Sequence, residues 1–223
     1  MADNSELPII SSISNLKYFS EKLTENEIID VLSDLKHRIF PRPFERLSNL
    51  RDRAREKNGG GGLIGVEIGV AGGEHALSLL ETLDLKKLYL VDPYELYNEY
   101  EEGKSHYGID QLSLSQTEIM CRNRLKEFDD RLVWIKKLSS EAINVISEKV
   151  DFVYIDGNHQ EEFVVEDIKN YIPLLRKSGV IGGHDYYNGF QREHDGVVNA
   201  VTNFMKHSKF QLRIEMPDWW IET

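Results

Sequence analysis

Val150-Asp151-Phe152-Val153-Tyr154-Ile155 runs directly into Asp156-Gly157-Asn158-His159. The first six residues read as a buried strand, and the abrupt change to polar residues around a glycine marks its end. A parallel strand delivers its last residues to the carboxyl edge of its sheet, where open α/β proteins bind ligands. A second strand-like run, Gly179-Val180-Ile181-Gly182-Gly183, stops in the same way on His184-Asp185. If the two strands are neighbours, two aspartates and two histidines converge at one edge, a ready site for a divalent cation and a base.

Outward from this centre, strand and helix alternate. Leu63 to Ile68 reads as the first buried strand, followed by a helix from about 73 to 82 and the strand Lys87 to Val91. A polar, tyrosine-bearing stretch from Tyr94 to Ser115 precedes a helix from about 116 to 128, the strand Leu132 to Ile135 and a helix around 140 to 148. The helix after His159 buries Val164, Ile168, Tyr171, Ile172 and Leu175, with Pro173 shortening its last turn. A helix from about 195 to 207 leads to Phe210 through Met216, whose alternation predicts a strand with one buried face, and Pro217-Asp218 turns it into Trp219-Trp220-Ile221. The expected fold is α/β: a doubly wound, mostly parallel, seven-stranded Rossmann-like sheet closed by a C-terminal antiparallel hairpin.

Residues 1–58 are expected to form an N-terminal helical extension, and 59–223 the catalytic domain. Thr24-Glu25-Asn26-Glu27 has capping-box spacing ahead of a helix from about 25 to 38, and Pro41 and Pro43 separate it from a second, charged helix ending near Asn58. That helix carries five basic side chains between Arg46 and Lys57, but Glu45, Asp52 and Glu56 are interleaved, which favours a solvated face over a phosphate-binding one. Gly59 to Gly62 form the joint.

The formal charge of −11 argues against nucleic acid and anionic membranes as partners. The single cysteine excludes an internal disulfide framework. An acidic N-terminus and the lack of any run of ~20 apolar residues lead to the expectation of a soluble, cytoplasmic protein.

Glu67-Ile68-Gly69-Val70-Ala71-Gly72-Gly73 lets a ligand approach the backbone but departs from the dinucleotide fingerprint Gly-x-Gly-x-x-Gly. Glu67 would be unhelpful to a pyrophosphate and attractive to a cationic amino group. Asp92, ending the second strand, is placed to accept hydrogen bonds from ribose hydroxyls. Each feature alone could serve only a tight turn; the combination favours a cofactor. Glu67-x-Gly69-x-x-x-Gly73 followed by Leu90-Val91-Asp92 resembles the S-adenosylmethionine site of class I methyltransferases. The segments at 155–159 and 182–186 are similar to those of macrocin-type sugar O-methyltransferases and cephalosporin-hydroxylase-like proteins, and the resemblance covers about 63 to 205. It implies that Glu67 holds the methionine amino group, that Gly69 and Gly73 line the cofactor, that Asp92 holds the ribose, and that Ser139 and Ser140 lie near the adenine.

Methyl transfer to a hydroxyl requires an oxygen that is losing its proton, which a bound divalent ion and a nearby base promote. Asp156 and Asp185 are hard ligands suited to Mg²⁺. His159 is the candidate base, with helix capping as its alternative role. The similar sugar methyltransferases have an acidic residue where this chain has His184. An imidazole ligand there favours Mn²⁺, Fe²⁺ or Zn²⁺, while a purely structural His184 is the other reading.

His75 is expected either to contact the ligand or to lie on the surface, and His106 and His194 to sit in loops near the same edge. Tyr94, Tyr97, Tyr100 and Tyr107 form either a lid or part of the core. The expected function is O-methylation of a small-molecule or glycan hydroxyl. The alternatives are a non-haem iron hydroxylase at the same cluster and a non-catalytic domain, possible as a homo-oligomer through Trp219 and Trp220, one of them core.

Overall fold

A computed structural model describes residues 62–97, 110–186 and 195–223. The N-terminal extension assigned to 1–58, its two helices and the joint before Gly62 lie outside these residues, as do Tyr100, Tyr107, His106 and His194.

The described chain forms β1 (Leu63–Ile68), α1 (Glu74–Thr82), β2 (Leu85–Val91), α2 (Gln111–Arg124), β3 (Leu132–Ile135), α3 (Ser139–Ala142), β4 (Val150–Ile155), α4 (Glu161–Tyr171), β5 (Leu175–Gly183), α5 (Asp195–Met205), β6 (Gln211–Glu215) and β7 (Asp218–Glu222). The sheet order is β3-β2-β1-β4-β5-β7-β6. β1 through β5 pair in parallel, and β7 pairs antiparallel with both β5 and β6. The expected doubly wound sheet with a terminal hairpin is therefore present.

Because β1 and β4 lie centrally, every one of their residues is buried. Successive side chains alternate between two apolar layers. Ile64, Val66, Ile68, Val153 and Ile155 join the layer that includes Val164, Ile168 and Val201, while Leu63, Phe152 and Tyr154 join the one that includes Ala76, Leu79 and Leu125. Asp151 and Glu67 are the carboxylates buried in these two strands; Asp151 lies in β4. Its Oδ2 accepts from the Ile64 backbone N–H at 2.8 Å and from Arg176 at 2.6 Å, so the carboxylate is satisfied where it is buried.

Several boundaries differ from the sequence reading. α2 begins at Gln111 rather than near 116, because the Asp110 carboxylate accepts the Ser113 backbone N–H at 2.7 Å and caps the helix there. The expected helix around 140 to 148 is only the single turn α3. β5 starts four residues before Gly179, with Ser178 at positive φ and an irregular register against β4. Pro173 acts as expected: α4 ends at Tyr171 and a 3₁₀ turn spans Ile172–Leu174.

The hairpin corrects two further expectations. β6 does not bury one face, since Ile214 is 46% exposed and flanked by exposed Phe210 and Met216. It is the edge strand, paired only to β7, and only Leu212 packs against the core. Trp219 and Trp220 are both buried, on opposite layers of the sheet, where only one was expected to be core. No described helix is long and apolar enough to cross a membrane.

Candidate functional site

Four strands hand their loops to one edge of the sheet, and backbone hydrogen bonds carry the ladder one step past each strand end. Gly69 N–H donates to Val91, Asp92 N–H to Ile135, Asp156 N–H to Ile68 and His184 N–H to Ile155, at 2.7 to 3.2 Å. The loops after β1, β2, β4 and β5 are therefore fixed side by side by the same pairing that builds the sheet.

The glycine loop depends on its glycines at two positions. At Gly69 (φ +80°) a Cβ would stand 2.1 Å from the Asp156 carbonyl oxygen, and at Gly73 (φ +82°) it would stand 2.7 Å from Cys121 Sγ. Gly69 thus lets the β1 and β4 loops touch, and Gly73 lets α1 approach α2. Arg124 of α2 bonds the Gly72 carbonyl and pairs with Glu74 at 2.9 Å, securing the same junction.

Asp92 binds this loop directly. Its Oδ2 accepts from the Val70 and Ala71 backbone N–H groups at 2.9 and 3.0 Å, and Oδ1 accepts from Tyr94 at 2.9 Å. Burial raises the Asp92 pKa against these three bonds, which favour the ionised form. The Tyr94 hydroxyl donates to the Ala71 carbonyl at 2.8 Å, so Tyr94 is part of the loop's buried support.

Between these loops lies a cavity of about 320 Å³. Gly69, Asp92, Ser139, Ser140 and Asp156 all line it, as does Tyr97. Asn158 also lines it and donates to the Tyr97 hydroxyl at 3.3 Å, which ties the β4 loop to the β2 loop across the cavity.

Glu67, expected to hold the methionine amino group, and Gly73, expected to line the cofactor, are not among the residues lining this cavity. Gly73 packs against α2 as described. Glu67 alternates away from the cavity wall toward α1, is 1% exposed, and meets His75 Nδ1 at 3.0 Å. The His75 ring stacks near Tyr154, with centroids 3.9 Å apart, and the Tyr154 hydroxyl donates to Asp218 at 3.1 Å. His75 is accordingly neither a surface residue nor part of the cavity wall, but lies buried between Glu67 and the Tyr154 ring.

The expected aspartate and histidine cluster does assemble. Ligand atoms of Asp156, His184 and Asp185 lie within 4.8 Å of one another. His159 Nε2 stands 2.9 Å from Asp185 Oδ2 and 4.0 Å from Asp156 Oδ1, and His184 Nδ1 stands 3.0 Å from Asp185 Oδ1. Asp185 has φ +61°, a conformation an aspartate tolerates and which turns the chain at the end of β5. Burial opposes ionisation of Asp185, but hydrogen bonds from His159 and His184 hold its carboxyl well below the usual range. Burial would lower the His159 pKa, yet the hydrogen bond and charge of Asp185, with Asp156 behind, raise it above the ordinary imidazole value. Two carboxylates and an imidazole at this spacing suit a divalent ion that accepts mixed oxygen and nitrogen donors.

A methyltransferase domain family model matches residues 66–186, more than half of the chain and all four loops just described. The chain belongs to the methyltransferase domain family. The expected class I methyltransferase fold recurs in the O-methyltransferase from Bacillus cereus solved with SAH, at 13% identity and TM-score 0.52 over 96% of this chain and 100% of that one. It recurs also in CalS11, a calicheamicin methyltransferase, at 14% identity and TM-score 0.57 over 98% of this chain and 87% of that one. No curated protein sequence matches the chain.

Several cavity residues of this methyltransferase domain escaped the sequence reading. Leu114 and Thr117 of α2, Lys137, and Phe163 and Asp167 of α4 all contribute to the wall. Most carry no signal in one sequence, because they reach the cavity only through helix packing. Asp167 does carry one: it interrupts the apolar stripe Val164, Ile168 and Tyr171 with an acidic side chain.

Proposed function

We propose that the protein is an S-adenosylmethionine-dependent, divalent-metal-assisted O-methyltransferase acting on a small-molecule or sugar hydroxyl. The observation that carries this reading is the position of Asp156, which lines the 320 Å³ cavity and is also one of the three clustered ligand residues. A donor in the cavity and an alcohol at the cluster would meet across one carboxylate, which is the proximity that bimolecular group transfer needs.

In this reading Asp92, already positioning the glycine loop, keeps acceptor capacity for ribose hydroxyls, and Gly69 lets the cofactor approach the backbone. Ser139 and Ser140 border the adenine. Glu67 acts through its pairing with His75 beneath the loop. A bound sulfonium donor would supply an electrophilic methyl group, and Asp156, His184 and Asp185 would hold a divalent ion able to lower the pKa of the acceptor hydroxyl. His159, oriented by Asp185, takes the acceptor's proton.

Calorimetry tests both halves. S-adenosylhomocysteine should bind the wild type and lose affinity in Asp92→Ala, while Mn²⁺ should bind the wild type and be lost in Asp156→Ala and Asp185→Ala. Undiminished Mn²⁺ binding in both of those variants would remove the metal from the proposal. No binding of S-adenosylhomocysteine by the wild type would remove the cofactor.

A further inference from the structure

The buried face of α4 runs Val164, Asp167, Ile168 and Tyr171, so one carboxyl stands among apolar side chains. Asp167 is 3% exposed. A carboxyl in such a place is costly unless it is hydrogen-bonded. The neighbouring Ser139 side chain favours the ionised form and offsets part of that cost, and the two carboxyl oxygens together offer roughly four acceptor positions. Asp167 also forms part of the cavity wall, facing the same space as Ser139 and Ser140.

Phe163, one turn earlier on α4, lines that space too. Residues four apart share one helix face, so α4 presents an aromatic ring and a carboxyl side by side. This pair suits a flat heterocycle that carries a hydrogen-bond donor on its edge: the ring offers apolar surface to its face, and the carboxyl an acceptor to its edge. A carboxyl keeps an acceptor oxygen whether or not it is protonated, so the match does not depend on its titration.

We propose that Asp167 accepts a hydrogen bond from the exocyclic amino group of the cofactor's adenine and so determines the selectivity of the cavity for a 6-aminopurine. This rests on the cavity being the cofactor site. It adds a specificity residue from α4 to the strand-end loops and helix residues that line the site.

The decisive comparison is S-adenosylhomocysteine against the analogue whose 6-amino group is replaced by hydrogen, measured by calorimetry. Wild type should prefer the amino form by about tenfold or more, since the analogue leaves a buried acceptor without its donor. Asp167→Ala should bring the ratio near one, and Asp167→Asn, which retains an acceptor oxygen, should preserve it. A residue that only supports Ser139 and α3 would lower both affinities together and leave the ratio unmoved.

Equal binding of the two ligands by wild type overturns the proposal without any variant, and so does an unchanged ratio in Asp167→Ala. If wild type binds neither ligand, the cofactor site itself is wrong and this assignment falls with it.

Discussion

The carboxyl of Asp167 should impose a pH slope on stability that Asp167→Asn removes. Burial pushes it from 3.8 up to about 7, against the opposing effect of the neighbouring Ser139 side chain. A difference of roughly three pKa units corresponds to about 4 kcal/mol at ~1.36 kcal/mol per unit. Between those two values the folded chain holds a proton that the unfolded chain has released. The stabilising contribution is therefore complete below about pH 4 and is lost as pH rises through about 7. Water entry and relaxation around the ionised group reduce the loss, so about 2 to 4 kcal/mol is expected.

The asparagine variant has no such proton. Its unfolding free energy minus that of wild type should increase by this amount from about pH 4.5 to about pH 8. Urea unfolding of both proteins without cofactor at matched pH supplies the difference curve, in which titrations common to both cancel. A flat curve across this window would refute the reasoning, because Asp167 would then titrate alike in the folded and unfolded chains.

Two other substitutions probe the scaffold. Gly69→Ala combines a φ of +80° with a Cβ 2.1 Å from the Asp156 carbonyl oxygen. It should cost about 3 kcal/mol or more and lower Tm by roughly 6 to 12 °C; a thermal melt indistinguishable from wild type would show that the β1 and β4 loops have room to separate. His75→Ala removes the imidazole 3.0 Å from buried Glu67 and should cost about 3 to 5 kcal/mol in urea unfolding. A change below about 1 kcal/mol would mean that this contact contributes little to keeping Glu67 in the core.

Much of the architecture was legible from local pattern alone. Val150 to Ile155 could be assigned as a buried strand because an apolar, β-branched and aromatic run of that length fits the centre of a parallel sheet, and the structure buries all six residues. The cluster was legible for a related reason. Both Asp156 and Asp185 follow strands, and topology sends the ends of parallel strands to one edge, so neighbouring β4 and β5 were sufficient to bring them together. Element starts were less legible: the Asp110 cap that begins α2 is ordinary loop composition until the chain turns there.

Side-chain direction marks the limit. Glu67 and Ile68 are adjacent, and the pleat alternates them to opposite layers. A motif quoted as a string of letters does not state that Ile68 borders the cavity while Glu67 meets His75 under α1. Trp219 and Trp220 illustrate the same alternation, each entering a different apolar layer.

By itself the sequence determined the alternation of strand and helix, the glycine loop, and the presence of acids and histidines at strand ends, because these follow from composition over a few consecutive residues. Only the tertiary structure decided that Asp156 belongs to both the cavity and the cluster, that Glu67 turns inward, and that α4 brings Phe163 and Asp167 to the cavity wall. Those facts arise where segments far apart in the chain pack together, and no short window of sequence contains both partners.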